Sequence, residues 1–398
     1  MRGGTSGIVV ANRLSEDPNV QVLVLEAGQN HIDNPMVRIP GLCEGLKKTD
    51  GLKSELNSRG ISIAHGKALR IQCGAQKHQM ELEDPPPRTW IETFKRKCYN
   101  IIDNPFSGNP VGAFSCLASI DPKTKERSYS ATAYYVPVAY RKNLRVVFGA
   151  LVGEIIIDGT KAGQGAEGVQ YQHDGHIITV KARNEVILAA GAFQSPKILE
   201  LSGIGQSNLL EFYGVDVKID SPYVGKNLQD HLVCTMGFET EEIMQTLDDL
   251  VRKDPQAIQA AMGEYLLHKT GPYTSMQPGS YAYLPVINFP FKEGQETLNE
   301  LLYSTEPVGV DLSNPTAIVY HRIAKSIFED REDSSAAFFT IPTQVVPARI
   351  LSPGNLLQFL FWATSFQSEP YCLTPSRADL FTSKAPIQAT NLSLIPNT

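Results

Sequence analysis

The first twenty-eight residues restrict this chain more than any other stretch. Gly3-Gly4-Thr5-Ser6-Gly7 runs directly into Ile8-Val9-Val10-Ala11-Asn12-Arg13-Leu14, which reads as a helix with an apolar face. Asp17-Pro18-Asn19 marks a turn. Val20-Gln21-Val22-Leu23-Val24-Leu25-Glu26-Ala27-Gly28 is then an apolar run of the kind buried on both faces of a parallel sheet. Glycine loop, helix, apolar strand and terminal acid follow in the order of a dinucleotide-binding unit. Glu26 stands 22 residues after Gly4, near the separation of about 20 that such units use. Each part has a physical task. Glycines admit the backbone to a pyrophosphate, and the helix start offers free N–H groups and the positive end of its dipole. The carboxylate accepts hydrogen bonds from a ribose diol and repels a 2′-phosphate, which argues against NADP. The full G-x-G-x-x-G pattern falls on Arg2 to Gly7, with Arg2 in place of the first glycine and no strand before the loop. A helix cap with glycines for a tight entry is the simpler alternative, and the placement of Glu26 favours the nucleotide.

Length and composition bound the rest. Against a usual domain size of roughly 100–200 residues, a chain of 398 residues predicts two domains or one large one. With 42% apolar and 20% charged residues it is able to bury a sizeable core, which excludes disorder, collagen and coiled coil. A net charge of -6 gives no electrostatic footprint for nucleic acid or anionic lipid. No run approaches the roughly 18 apolar residues of a membrane span. The first ten residues lack the layout of a secretory signal, so the chain as written is expected in the cytoplasm. The six cysteines form no C-x-x-C pair and read as mostly reduced, buried thiols. His173, Asp174 and His176 raise a metal site, but a solvated hairpin turn accounts for them better, and no metal is expected.

Residues 41–126 show no period and read as a loop-rich excursion, with one short helix over Trp90 to Tyr99. Order returns at Arg127 to Tyr135, and Arg141 to Val147 predicts a short core strand. Leu151 to Ile157, Gly165 to Gln172 and His176 to Ala182 predict three successive strands, the last two joined at Asp174-Gly175. An Asp-Gly pair between alternating runs is a strong hairpin signal. Glu185-Val186-Ile187-Leu188-Ala189-Ala190-Gly191 predicts a second buried strand of parallel type.

The segment Gly191-Ala192-Phe193-Gln194-Ser195-Pro196-Lys197-Ile198-Leu199-Glu200-Leu201-Ser202-Gly203-Ile204-Gly205 resembles the second signature of the glucose–methanol–choline (GMC) flavoprotein oxidoreductases. Val224-Gly225-Lys226-Asn227-Leu228-Gln229-Asp230-His231 resembles the run that follows it in that family. The opening through Gly28, with Asn34-Pro35 and Ile39-Pro40-Gly41, resembles the family's ADP-binding unit. The resemblance covers roughly residues 3–41 and 127–232. It implies an α/β fold, with an FAD-binding Rossmann-like domain of glutathione-reductase type and a second, incomplete substrate domain. The expected division is an FAD-binding domain over 1–232, containing the excursion at about 41–126, and a partial substrate domain over 233–398. The cofactor implied is FAD. Gly4, Thr5, Ser6 and Gly7 would face its pyrophosphate and Glu26 its adenosine ribose, while the backbone of Val152 would meet the adenine. Aromatic residues of Tyr281 to Leu284 serve the substrate domain either as an active-site lining or as core.

Departures from the family shape the functional expectation. Gly66-Lys67-Ala68-Leu69 is followed by Arg70-Ile71-Gln72-Cys73 where the family has glycines and serines against the flavin, and such side chains hold the backbone away. The last histidine is His321, and nothing after it resembles the family's catalytic histidine run, so no catalytic residue is assigned. His231 and His321 read as hydrogen-bonded, non-catalytic residues. Two readings follow. One is an FAD-dependent oxidoreductase acting on the CH–OH group of a small or aryl alcohol, with fungal-type motifs that suggest secondary metabolism. The other is an inactive remnant or misassembled gene product of that family, shortened at both ends. From these departures the chain is expected to hold FAD weakly or not at all. An NAD-dependent Rossmann enzyme leaves the Gly191–Gly205 signature without a role. A non-enzymatic partner-binding protein is the remaining class, since an open sheet edge seeks pairing.

Overall fold

The computed structural model describes residues 4–42, 85–108, 111–115, 118–158, 165–226, 228, 232–239, 246–275, 279–285, 292–303, 313, 315–330, 332–341 and 356–363. In chain order the elements run α1 (Thr5–Leu14), β1 (Val22–Glu26), α2 (Pro85–Arg96), β2 (Gly112–Ser115), β3 (Leu144–Phe148), β4 (Leu151–Asp158), β5 (Gly165–His173) and β6 (His176–Lys181). After these come α3 (Gly191–Leu201), β7 (Ile204–Gly205), α4 (Ser207–Phe212), β8 (Ile219–Asp220), β9 (Leu232–Glu239) and α5 (Pro255–His268). The last are β10 (Ser280–Leu284), α6 (Lys292–Tyr303), α7 (Pro315–Glu329), β11 (Ala336–Ile341) and β12 (Leu356–Ala363). They divide into two compact units. One comprises Met1–Cys73, Glu126–Leu228 and Pro370–Thr398; the other comprises Gly74–Lys125 and Gln229–Glu369.

In the first unit, β1 and β3 pair in parallel, with Val22 opposite Leu144 and Glu26 opposite Phe148. Helix α1 covers them: Ile8 and Ala11 pack with Val22, Val24 and Leu144, and with Tyr134 and Val138 from the irregular helical stretch before β3. The expected apolar face of residues 8–14 is thus the buried one. Polar groups fix the same layer. Asn12, buried, donates to the carbonyl of Tyr134, and the Arg141 guanidinium donates to the Asn12 carbonyl and to Ser15 Oγ. The Asn143 amide donates to the carbonyls of Ser15, Asp17 and Val20. One asparagine therefore holds the whole α1–β1 turn against the start of β3.

Strands β4, β5 and β6 form an antiparallel meander. Its second hairpin turns at Asp174 and Gly175, both at positive φ (48° and 78°), the backbone that a two-residue type I′ turn needs. The Glu185–Gly191 run departs from expectation: Glu185 to Ala190 form no strand, and α3 begins at Gly191. A strand is defined by a ladder, and among the described residues β1 and β3 form a two-stranded sheet that does not include this run. Its apolar side chains are still used, since Val186 and Leu188 pack with Ile155, Ala190 and Ile198. The fifteen-residue signature is accordingly one helix, α3, followed by the short strand β7, which pairs in parallel with β8.

Ser202 ties that helix to the meander. It is buried, accepts the Ile155 N–H of β4 (2.7 Å) and donates to the Ile198 carbonyl (2.5 Å). Ser202→Ala leaves a buried N–H without its acceptor, so a loss of about 1–2 kcal/mol in folding free energy is expected. Urea unfolding of the two proteins checks it.

The second unit is built on an antiparallel sheet ordered β2-β10-β11-β12-β9. Helix α2 lies on one face, with Trp90 packed on Ala113 and Ala282 and its indole N–H donating to the Tyr281 carbonyl. The helix expected over Trp90 to Tyr99 thus starts and ends earlier. The side chains that alternate away from α2 are aromatic: Phe114, Tyr281, Tyr283 and Phe339, with ring centroids 5.0–6.2 Å apart.

Candidate nucleotide site

Helix α1 and strand β1 are joined by residues 15–21 and packed together, so they run in opposite directions. The first turn of α1 therefore shares an end of the unit with the carboxyl end of β1, the end at which parallel sheets bind ligands. Gly4, the N-cap, is extended (φ -71°, ψ 179°) and supplies no side-chain cap; no acidic residue stands in the first turn. Among the described residues no side chain caps the N–H groups of Thr5 to Gly7, which suits them to an external acceptor. A Cβ built on Gly4 meets nothing within 4 Å.

Glu26 closes β1. It is 6% exposed, and its Oε1 accepts the N–H of Gly28 (2.8 Å). Its own carbonyl accepts the N–H of Ala150, and the Gly28 carbonyl accepts that of Gly149. The chain leaving β1 is thereby zipped to the chain leaving β3. Val152 follows two residues later. Its side chain packs inward with Leu25, Ala150 and Tyr171, and the β4–β5 register slips between Val152 and Glu154. That bulge leaves Gly153 outside the ladder and offers main-chain groups beside Val152 rather than a side chain. Glu26 and Val152 are thus brought together through Ala150. Gly4 to Gly7 reach the same end by topology. A donor set of uncapped helix N–H groups and an acceptor carboxylate suits an anionic phosphate next to a vicinal diol, which is the adenosine half of a dinucleotide.

Two further residues lie near this end, one of them unassigned from sequence and the other read differently. Gln29 lies across Gly149, its Nε2 3.0 Å from where a Cβ would stand on that glycine (φ 67°). His173, read as part of a solvated turn, sets Nδ1 3.4 Å from the Gly149 carbonyl and Nε2 3.4 Å from Asp174. Neither was accessible to sequence reading, because the link runs through a loop more than a hundred residues from Gln29. Among the described residues no group of three or more His, Cys, Asp or Glu is arranged to hold a metal ion. No helix among them is long and apolar enough to cross a membrane.

The one carboxyl of the signature also escaped the sequence reading. Glu200 is 5% exposed and meets Gly205 and Gly225; its Oε1 stands 2.9 Å from where a Cβ would be built on Gly225 (φ 74°). Burial pushes its pKa up to about 7, and the Lys226 ammonium opposes that rise. The run at Gly66 to Ala75 and His231 lie outside the described residues. His321 sits on α7, partly buried.

Residues 70–233 match the family model described as GMC oxidoreductase. The chain is 28% identical over 342 residues to the dehydrogenase mpl7 of Monascus purpureus, covering 68% of this chain and 55% of that protein. It is 31% identical over 318 residues to the GMC oxidoreductase family protein Mala s 12 of Malassezia sympodialis, covering 60% and 51%, and 30% identical over 347 residues to the GMC-type oxidoreductase Mb1310 of Mycobacterium bovis, covering 71% and 62%. The chain therefore spans only 51–62% of the length of these curated relatives. An FAD-dependent oxidoreductase from Chaetomium thermophilum has a similar fold, with a TM-score of 0.67 at 21% identity over 90% of this chain and 72% of that one.

Proposed function

The chain belongs to the GMC oxidoreductase family, whose cofactor is FAD, and from that premise we propose that it oxidises the CH–OH group of a small or aryl alcohol, in a secondary-metabolic setting. The observation that carries the reading is the convergence of an uncapped α1 start, the Glu26 carboxylate and the β4 bulge at one end of the β1–β3 pair. Bound there, FAD supplies the two-electron acceptor to which an alcohol gives up hydride.

This chain's own residues act on the adenosine half. The N–H groups of Ser6 and Gly7 meet the pyrophosphate charge at the positive end of α1. Glu26 accepts from the ribose hydroxyls at its carboxylate, and its charge repels any 2′-phosphate. The backbone beside Val152 meets the adenine edge. The Gly28 and Gly149 main chains, bonded to each other, keep these groups in a fixed frame, so binding orders little that is not already ordered.

Titration of the full chain with FAD, followed by flavin fluorescence, tests this reading with FMN as the comparison ligand. FMN lacks the adenosine half, so FAD and ADP are expected to bind and to compete, with FMN much weaker. FMN binding as tightly as FAD, or no binding of either FAD or ADP, would overturn it. Turnover of benzyl alcohol by the flavin-loaded chain, read with an artificial electron acceptor, tests the reaction separately.

A further inference from the structure

The two side chains gathered on Gly149 point to a contact that goes beyond the diol and pyrophosphate. We propose that Gln29 reads the adenine edge of the bound nucleotide and that His173 is the positioning residue that holds Gly149 beneath it. The proposal rests on the nucleotide site described above and deepens it.

Gln29 follows Glu26 by three residues, just past the carboxyl end of β1, and is exposed there rather than packed in the core. Its amide lies over Gly149 because that residue has no Cβ; with Nε2 3.0 Å from the vacant position, any side chain there pushes the amide aside. Gly149 leads through Ala150 into β4 and Val152, so the amide stands over the strand entry whose backbone the adenine would meet. A carboxamide carries a donor and an acceptor side by side. Adenine shows the matching pair, the N6 amino group next to N7, and a glutamine amide can engage both. Glu26 has no donor and cannot make that match. The division of labour is thus chemical: carboxylate to diol, carboxamide to base.

His173 acts one step back. Its Nδ1 reaches the Gly149 carbonyl across the end of β5, while Asp174 lies beside Nε2. The charged group beside this imidazole is Asp174, on the same hairpin. A donor at Nδ1 fixes the peptide over which Gln29 extends, so removing it loosens the platform without touching the ligand.

The test uses the full chain and two probes, ADP and UDP, which share ribose and pyrophosphate but differ in the base. Wild type is expected to prefer ADP. Gln29→Leu should lower ADP affinity about 5–10-fold, the worth of an exposed paired contact to a base, and leave UDP within about twofold, so the preference collapses. His173→Leu should follow in the same direction to a smaller extent, and His173→Asn, which keeps a donor at the same reach, should restore the preference. If Gln29→Leu lowers both probes equally or neither, the assignment to adenine is overturned. If His173→Asn behaves as His173→Leu, the positioning role is overturned. If wild type binds neither probe, the nucleotide site itself is wrong and this proposal falls with it. Binding of ADP that Glu26→Ala abolishes and Gln29→Leu leaves intact would spare that site and sink only this one.

Discussion

Between pH 5 and pH 8 the wild-type chain is expected to lose about 2 kcal/mol of stability through Glu200 alone, and Glu200→Gln to lose none of it. Burial against Gly205 and Gly225 raises this carboxyl from the usual value of 4.5 to about 7, and Lys226 is too weak an offset to cancel the cost of desolvation. The folded state therefore holds the proton more tightly than the unfolded state does. Its contribution is fully present below about pH 4.5 and is lost as the pH rises through about 7, opposite to the behaviour of a salt-bridged acid. At about 1.36 kcal/mol per pH unit, that displacement converts to somewhat over 3 kcal/mol. The smaller figure covers only the window from pH 5 to pH 8, since the loss begins near pH 4.5. Glutamine imitates the protonated acid. Urea unfolding at pH 5 should give the same free energy for both proteins, and at pH 8 the variant should be the more stable. A gap between them that does not change with pH would show that Glu200 is ionised in the fold throughout.

Glu200 also shows where sequence reading stops. Its place in the signature was legible, because the resemblance names each position from Gly191 to Gly205. Its burial was not, since glutamates are mostly exposed and nothing local announces that Gly225 will close over this one. The same division runs through the fold. The α1–β1 order and the Asp174-Gly175 hairpin were legible because each is encoded by neighbours: an apolar stripe beside a turn, or two residues that tolerate positive φ. The Glu185–Ala190 run reads as a strand from its pattern, but a ladder needs a partner that the pattern does not contain. The sheet of the second unit was invisible for a related reason. It sets β2 beside β10 and β12 beside β9, pairings far apart in sequence. At the candidate site, Glu26 could be found by its distance from the glycines, whereas Gln29 and His173 meet only because Gly149 folds between them. Residues placed by spacing are legible; residues placed by tertiary approach are not.

Glu26→Ala is expected to weaken ADP binding about 100-fold. A buried carboxylate that accepts hydrogen bonds from two ribose hydroxyls contributes about 1.5–3 kcal/mol per bond, and a loss of about 3 kcal/mol corresponds to that factor. The alanine also frees the N–H of Gly28, which Glu26 Oε1 now accepts at 2.8 Å, so part of any effect could arise from a loosened strand end. Glu26→Gln separates the two. Its amide oxygen can still accept from Gly28, but the charge is gone and one face of the group now donates, so ADP affinity should fall about 10-fold with the unfolding midpoint nearly unchanged. Charge has a second signature. The wild-type carboxylate repels a 2′-phosphate, so 2′-phospho-ADP-ribose should bind far more weakly than ADP-ribose, and Glu26→Gln should narrow that ratio more than it lowers either affinity. Isothermal titration with the two ligands reads it directly. If Glu26→Ala lowers the unfolding midpoint and leaves both affinities untouched, the carboxylate only ties down Gly28, and the nucleotide is held, if anywhere, by other residues.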